Sequence, residues 1–194
     1  MARILRFSRH EIKDLVKAWA VISLAFTIVM VGIRFSTDFI MGFFVAALTV
    51  GTGFVAHELG HKFVAQHYGC FAEFRAYNNM LLAALIMSFF GFIFAAPGAV
   101  MIMGNIDRIR NGRISAAGPF MSLSIASIFL ILAFAAPLRV IWIYGFIINS
   151  WIALFNLIPV PPFDGGKIYK WNKPAYIGMI IIAATFMFLQ YIIR

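Results

Sequence analysis

The sequence predicts an all-α polytopic membrane protein of about five to six transmembrane helices, with a short re-entrant or β element between the second and the next span. Three observations carry this. Of 194 residues, 63% are hydrophobic and only 12% charged, a balance that a soluble domain of this size cannot bury but a bilayer accommodates. The apolar residues fall into long uncharged blocks. One of those blocks is broken by glycine and proline. The net charge of +9 does not point to nucleic acid, because the basic residues are scattered in ones to threes between the blocks, as topology signals are. The single cysteine, Cys70, excludes a disulfide framework and a cysteine-based metal site within one chain.

The blocks run from Ala18 to Ile33, Phe39 to Ala56, Leu81 to Met103, Ile114 to Leu138, Val140 to Ile158 and Ala175 to Ile193. Roughly 20 helical residues cross a hydrocarbon core of about 30 Å, so each block can span or nearly span it. Met1 to Lys17 is not a secretory signal, since Glu11, Lys13 and Asp14 continue its charge and no small-residue cleavage pattern follows. The first block therefore stays as a helix.

Charge decides how many blocks cross. With six spans and a cytoplasmic N-terminus, nine basic residues fall inside and seven outside, which is almost no bias. If Leu81 to Met103 enters and leaves by the same face, thirteen fall inside and only Arg34, Arg139 and Arg194 outside, as positive-inside orientation requires. Gly91, Pro97 and Gly98 interrupt that block, and proline breaks an interior helix. Leu81 to about Phe94 is therefore read as a short dipping helix and Ala95 to Met103 as an extended stretch, with a sixth, proline-kinked span as the alternative. Irregular backbone at that depth needs protein or a wet cavity around it. The resulting organisation is an N-terminal segment and first helix (1–38), a core (39–173) and a C-terminal helix (174–194).

Glu58 stands out among the seven acidic residues, because it follows 18 uncharged residues in one continuous helix. An ionisable group in a membrane helix points to function. Its surroundings read His57-Glu58-Leu59-Gly60-His61. Two histidines four apart share a helix face and can hold one ion, while Glu58, about 100° round the helix, can reach a water without being a ligand. This is the spacing of a zinc site with a general base; a polar cluster bonding neighbouring helices is the competing reading. His10 and His67 lie in polar boundary segments with no partner at ligand spacing. A catalytic zinc site needs a third protein ligand, and Asp164, in Asn156-Leu157-Ile158-Pro159-Val160-Pro161-Pro162-Phe163-Asp164-Gly165-Gly166, is the strongest candidate. Under five spans it reaches the same face as the two histidines. The alternative is a proline-rich turn in which Asp164 caps the next short helix.

HELGH, followed about 100 residues later by an N-x-x-P-x-x-P-x-D-G-G pattern, with Ala117-Gly118-Pro119 between them at the start of a helix, resembles the site-2 protease family of intramembrane zinc metalloproteases (peptidase family M50). The resemblance covers roughly Phe39 to Lys173. It implies one Zn2+ per chain held by His57, His61 and Asp164, with Glu58 activating water. Asn156 matches the family's asparagine that helps hold the substrate or the developing oxyanion. Many members carry asparagine where this chain has Ser122, which, with Gly118 and Ala126 at i, i+4, i+8, reads as a small-residue packing ridge. The implied activity is endoproteolysis within single-span membrane proteins near the cytoplasmic face of the cell membrane, with the lipid bilayer as solvent and no nucleic-acid partner. A metal-ion transporter or sensor using the same His/Asp cluster is the alternative. Pro97, Gly98, Ala99 and Val100, in a stretch with β-branched Ile102, offer an open strand edge on which an unwound substrate could pair, like the family's membrane-entering β element.

Overall fold

A computed structural model describes residues 6–33, 36–93 and 96–193. The charge assignments of Arg3, Arg34 and Arg194, and the boundary between Phe94 and Ala95, lie outside these residues. Five described helices are long and apolar enough to cross a membrane. Helix α1 (Arg9–Val31) starts at Ser8, whose hydroxyl accepts from the Glu11 N–H at 3.1 Å, and stops at Gly32, whose φ of +75° only glycine adopts readily. Helices α2 (Thr37–Ala46) and α3 (Thr52–His67) form one 31-residue span, joined through a π-helical turn at Ala47–Gly51. At this turn the Ala47 carbonyl accepts from the Thr52 N–H and hydroxyl and, across from α1, from Trp19 Nε1 at 3.1 Å.

Among its described residues, Leu81–Met103 holds no helix long enough to cross. Helix α4 (Asn78–Ser88) has 11 residues, about 17 Å of rise. It begins three residues before the expected dipping helix and ends six before its expected limit, because the chain turns through Phe89 and Phe90 into Gly91 at φ +83°. The expected extended stretch is strand β2 (Gly98–Met103), shorter at its start than Ala95. Its partner was not anticipated: β1 (Phe71–Ala76) pairs antiparallel with β2, setting Phe71 against Met103, Phe74 against Val100 and Ala76 against Gly98. The other edge of β1 lies on α1, where the Phe74 N–H donates to Glu11 Oε1 at 2.9 Å and the Ala76 N–H to Asp14 Oδ2 at 3.2 Å.

Helix α5 (Arg108–Ala135) begins at Asp107, whose carboxylate accepts from the Arg110 N–H at 2.8 Å. Ala117-Gly118-Pro119 is thus in the interior of a helix, not at its start, because the charged turn Arg108–Arg113 is already helical. Helix α6 (Arg139–Asn156) returns, the proline-rich loop leads to α7 (Gly165–Trp171), and α8 (Lys173–Ile193) closes the bundle, with Arg139 donating to the Ile193 carbonyl at 3.2 Å. The sheet, α7 and twelve of the described basic residues gather at the end of the bundle where α1 begins; Arg139 is the one described basic residue at the other.

Leu15, Ala18 and Ile22 of α1 pack with Val50, Phe54, Phe74, Leu81 and Ala84, so that the first span, the HELGH span, the sheet and α4 share one core. A second core joins Leu123, Ala153, Leu157, Ile168 and Ala183 from α5 to α8. Large apolar side chains such as Ile40, Phe44, Ile131, Phe134, Ile181 and Phe188 face outward, as a lipid-facing belt requires.

Candidate metal centre

α3 presents His57 and His61 on one face, one turn apart, and both are buried. Their Nε2 atoms lie 3.2 Å apart. Asp164 Oδ2 is 3.1 Å from His61 Nε2 and 3.6 Å from His57 Nε2. A tetrahedral zinc with bonds of 2.0–2.1 Å would separate its ligands by about 3.3 Å, so the triangle has the size that the ion requires. The expected ligand set is therefore assembled from residues more than 100 positions apart in the chain.

The proline-rich loop delivers the carboxylate. At Gly165 the chain folds back on the end of α6 so closely that a Cβ would sit 2.1 Å from the Leu157 carbonyl oxygen. Asp164 does precede α7, and its backbone carbonyl accepts from Lys167 and Ile168, but its side chain makes no capping bond. The carboxylate is left to the imidazoles, and the simple capping reading fails. Burial works against its charge, yet His61 and His57 outweigh burial and hold the carboxyl well below the usual carboxylate range. This favours the anionic form that a metal ligand needs.

Partners on α5 orient both rings. His61 Nδ1 donates to the Ile114 carbonyl at 2.8 Å, which leaves Nε2 as the lone pair aimed into the triangle. His57 Nδ1 meets the Ser122 hydroxyl at 2.9 Å. The A-G-P motif makes this approach possible. Pro119, inside α5, lacks the N–H that would bond the Ser115 carbonyl. A Cβ on Gly118 would lie 2.3 Å from His61 Nε2 and 2.7 Å from His57 Nε2, and one on Gly60 2.7 Å from the Ala117 carbonyl oxygen. Glycine at both positions lets α3 and α5 meet at the metal-binding turn.

Glu58 is buried beside the triangle but is not one of its three ligands. β2 packs against α3, the helix that carries Glu58. Among the expected strand residues, Gly98 packs so tightly on Phe74 that a Cβ would stand 2.4 Å from its ring, and Val100 packs into the core shared by α1 and α3. Ala99 is paired with Arg75, and the Pro97 carbonyl accepts from the Tyr77 N–H at 2.9 Å. Asn156, the last residue of α6, is half-buried and donates to the Ile152 carbonyl at 2.8 Å. The proline segment lines a cleft of about 500 Å³ with Lys167, Tyr169, Lys170 and Tyr176, but none of the three ligating residues opens into it.

Two curated proteins of Methanocaldococcus jannaschii are similar to this chain. One, named "Putative zinc metalloprotease MJ0611", is 39% identical over 175 residues, 87% of this chain and 88% of that protein. The chain belongs to this zinc metalloprotease family. The second, named "Zinc metalloprotease MJ0392", is 29% identical over 170 residues, 82% of this chain but 44% of that longer protein. No family model and no solved structure matches. The His57, His61 and Asp164 triangle is consistent with binding the zinc of this family.

Sequence reading missed one contributor to the metalloprotease site. Ser122 was assigned to packing, whereas it is fully buried and bonds a zinc-binding ring. The available signal was its polarity on a buried ridge, where alanine would pack equally well. Ser122→Ala should weaken zinc binding about 10- to 100-fold, the usual effect of removing a partner that orients a ligating histidine. Competition against a chelator of known affinity measures this, and an unchanged affinity would return Ser122 to packing.

Proposed function

We propose that this metalloprotease is an intramembrane endopeptidase of the site-2 type, cutting single-span membrane proteins within their transmembrane segments near the cytoplasmic face. The observation that carries this reading is the position of the centre. His57 stands 20 residues into a 31-residue apolar span, so the reaction takes place beside lipid-facing helices and not in an attached soluble domain. The basic residues gathered at the site's end of the bundle favour a cytoplasmic placement of that end and of the N-terminus, in the cell membrane.

His57, His61 and Asp164 would hold zinc, which would supply the Lewis acidity that activates water near neutral pH. Glu58 takes the proton from the attacking water and returns it to the leaving amine. A helical substrate hides each scissile carbonyl in an i to i−4 bond, so it must unwind first. β2 offers the unwound segment a place to pair. Phe74 and Ala76 turn their N–H groups toward α1, so their partners Val100 and Gly98 turn theirs the opposite way, out of the sheet. Asn156 has a second amide N–H beyond the one given to Ile152, suited to a substrate carbonyl or developing oxyanion.

The test is incubation of purified, detergent-solubilised protein with a panel of single-span substrates. Cleavage inside the transmembrane segment, stopped by chelation and restored by zinc, is expected. Cuts confined to soluble loops would overturn the intramembrane reading. For the strand edge, Val100→Pro removes the N–H and should lower kcat/KM about tenfold or more with zinc content intact. Loss of zinc in that variant would count against a substrate-pairing role.

A further inference from the structure

Glu11 and Lys62 are both fully buried, and Lys62 Nζ donates to Glu11 Oε1 at 2.7 Å and Oε2 at 2.6 Å. Apolar residues of similar volume would hold this place at least as stably, because taking two charges out of water opposes most of their attraction. The pair's other contacts show what it does that apolar residues could not. Lys62 directly follows the ligand His61 and also donates to the Ala72 carbonyl of β1 at 3.1 Å. Glu11 Oε1 also accepts the Phe74 N–H of β1. Phe74 is the register partner of Val100, and β2 packs against α3. One line of contacts therefore runs from the metal-binding turn of α3 through Lys62, Glu11 and Phe74 to β2 and back to α3.

The local sequence Ser8-Arg9-His10-Glu11 makes the point sharper. Glutamate three residues after a serine cap ordinarily turns back to the cap's own N–H. Here Ser8 still caps through its hydroxyl, and it also bonds Glu73 of β1, but the Glu11 carboxylate is committed to Lys62 and the strand. With Asp14 on the Ala76 N–H, carboxylates of α1 close the outer edge of β1. Among the described residues, the edge of the two-stranded sheet left without a strand or carboxylate partner is that of β2, on the side of α3.

We propose that Glu11 and Lys62 are positioning residues that set the distance between the open edge of β2 and the metal centre. That the edge receives substrate rests on the endopeptidase reading above. The test compares two double variants, both free of an unpaired buried charge. E11A/K62M removes the acceptor for the Phe74 N–H, and E11Q/K62M keeps it. Spin labels at Met101 and Arg113, in a background with Cys70→Ser, report the distance from β2 to α5 without any need for activity.

E11A/K62M is expected to keep its zinc, to broaden the label distance distribution and to lose about 10- to 100-fold in kcat/KM for a single-span substrate, mostly through KM, as an ångström-scale misplacement does. E11Q/K62M should recover most of both readouts. Wild-type distances in E11A/K62M, or loss of zinc and thermal stability in both variants alike, would overturn the positioning role. Broadened distances with unchanged KM would overturn its link to substrate. If the unmodified protein cleaves no membrane substrate, the endopeptidase reading fails, and the label distances still decide whether the pair positions the strand.

Discussion

Glu58→Gln should abolish proteolysis while the protein still binds about one zinc per chain. The substitution keeps the size of the side chain, so the fold has no reason to move. It removes the group that takes the proton from water. General-base removal alone lowers kcat by about 10²- to 10⁴-fold, and no other carboxylate is placed to substitute, since Asp164 is held by the two imidazoles. Zinc content should survive because the triangle of His57, His61 and Asp164 closes without Glu58. Metal analysis and cleavage of a single-span substrate read the two effects separately. Loss of zinc would make Glu58 a ligand, and residual cleavage near the unmodified level would remove it from the chemistry. A transporter or sensor built on the same cluster would keep its metal-dependent behaviour in this variant.

The centre was legible in the sequence to the extent that local spacing encodes geometry. HELGH places two imidazoles on one face because helices repeat every 3.6 residues, wherever the helix sits. Asp164 was legible because carboxylates are rare in this chain and prolines and glycines surround it. The five spans followed from the charges together with the glycines and proline that interrupt Leu81–Met103. What escaped was pairing at long range. β1 has no uniform alternation, since Ala72, Glu73 and Phe74 are all buried in succession, and its edge is satisfied by carboxylates of α1 some 60 residues earlier. Glu11 reads in the sequence only as one of the charges that continue the N-terminal segment, and Ser122 as a small residue on a packing ridge. Each owes its role to a neighbour that no spacing rule connects to it, at separations of 63 residues for Glu11 to Phe74 and 65 for Ser122 to His57.

Gly118→Ala is the second substitution expected to destroy activity, by removing the metal and leaving the base in place. Its Cβ would sit 2.3 Å from His61 Nε2 and 2.7 Å from His57 Nε2, closer than nonbonded atoms approach, so something must move. The rings are poorly free to do so. His61 is tied to the Ile114 carbonyl and His57 to Ser122, both on the helix that carries the new methyl group. Swinging either ring aside breaks its orienting bond and turns its lone pair away from Asp164. Separating the helices instead opens the contact between Gly60 and the Ala117 carbonyl, and overpacking of this kind typically costs about 1–3 kcal/mol. Both routes spread a triangle whose edges now match a tetrahedral ion. Zinc stoichiometry in the purified variant should therefore fall well below that of Glu58→Gln, with helical content by circular dichroism preserved. Full zinc occupancy with normal cleavage would show that α3 and α5 can part at this turn without cost, and that the glycine of A-G-P serves helix packing and not the metal.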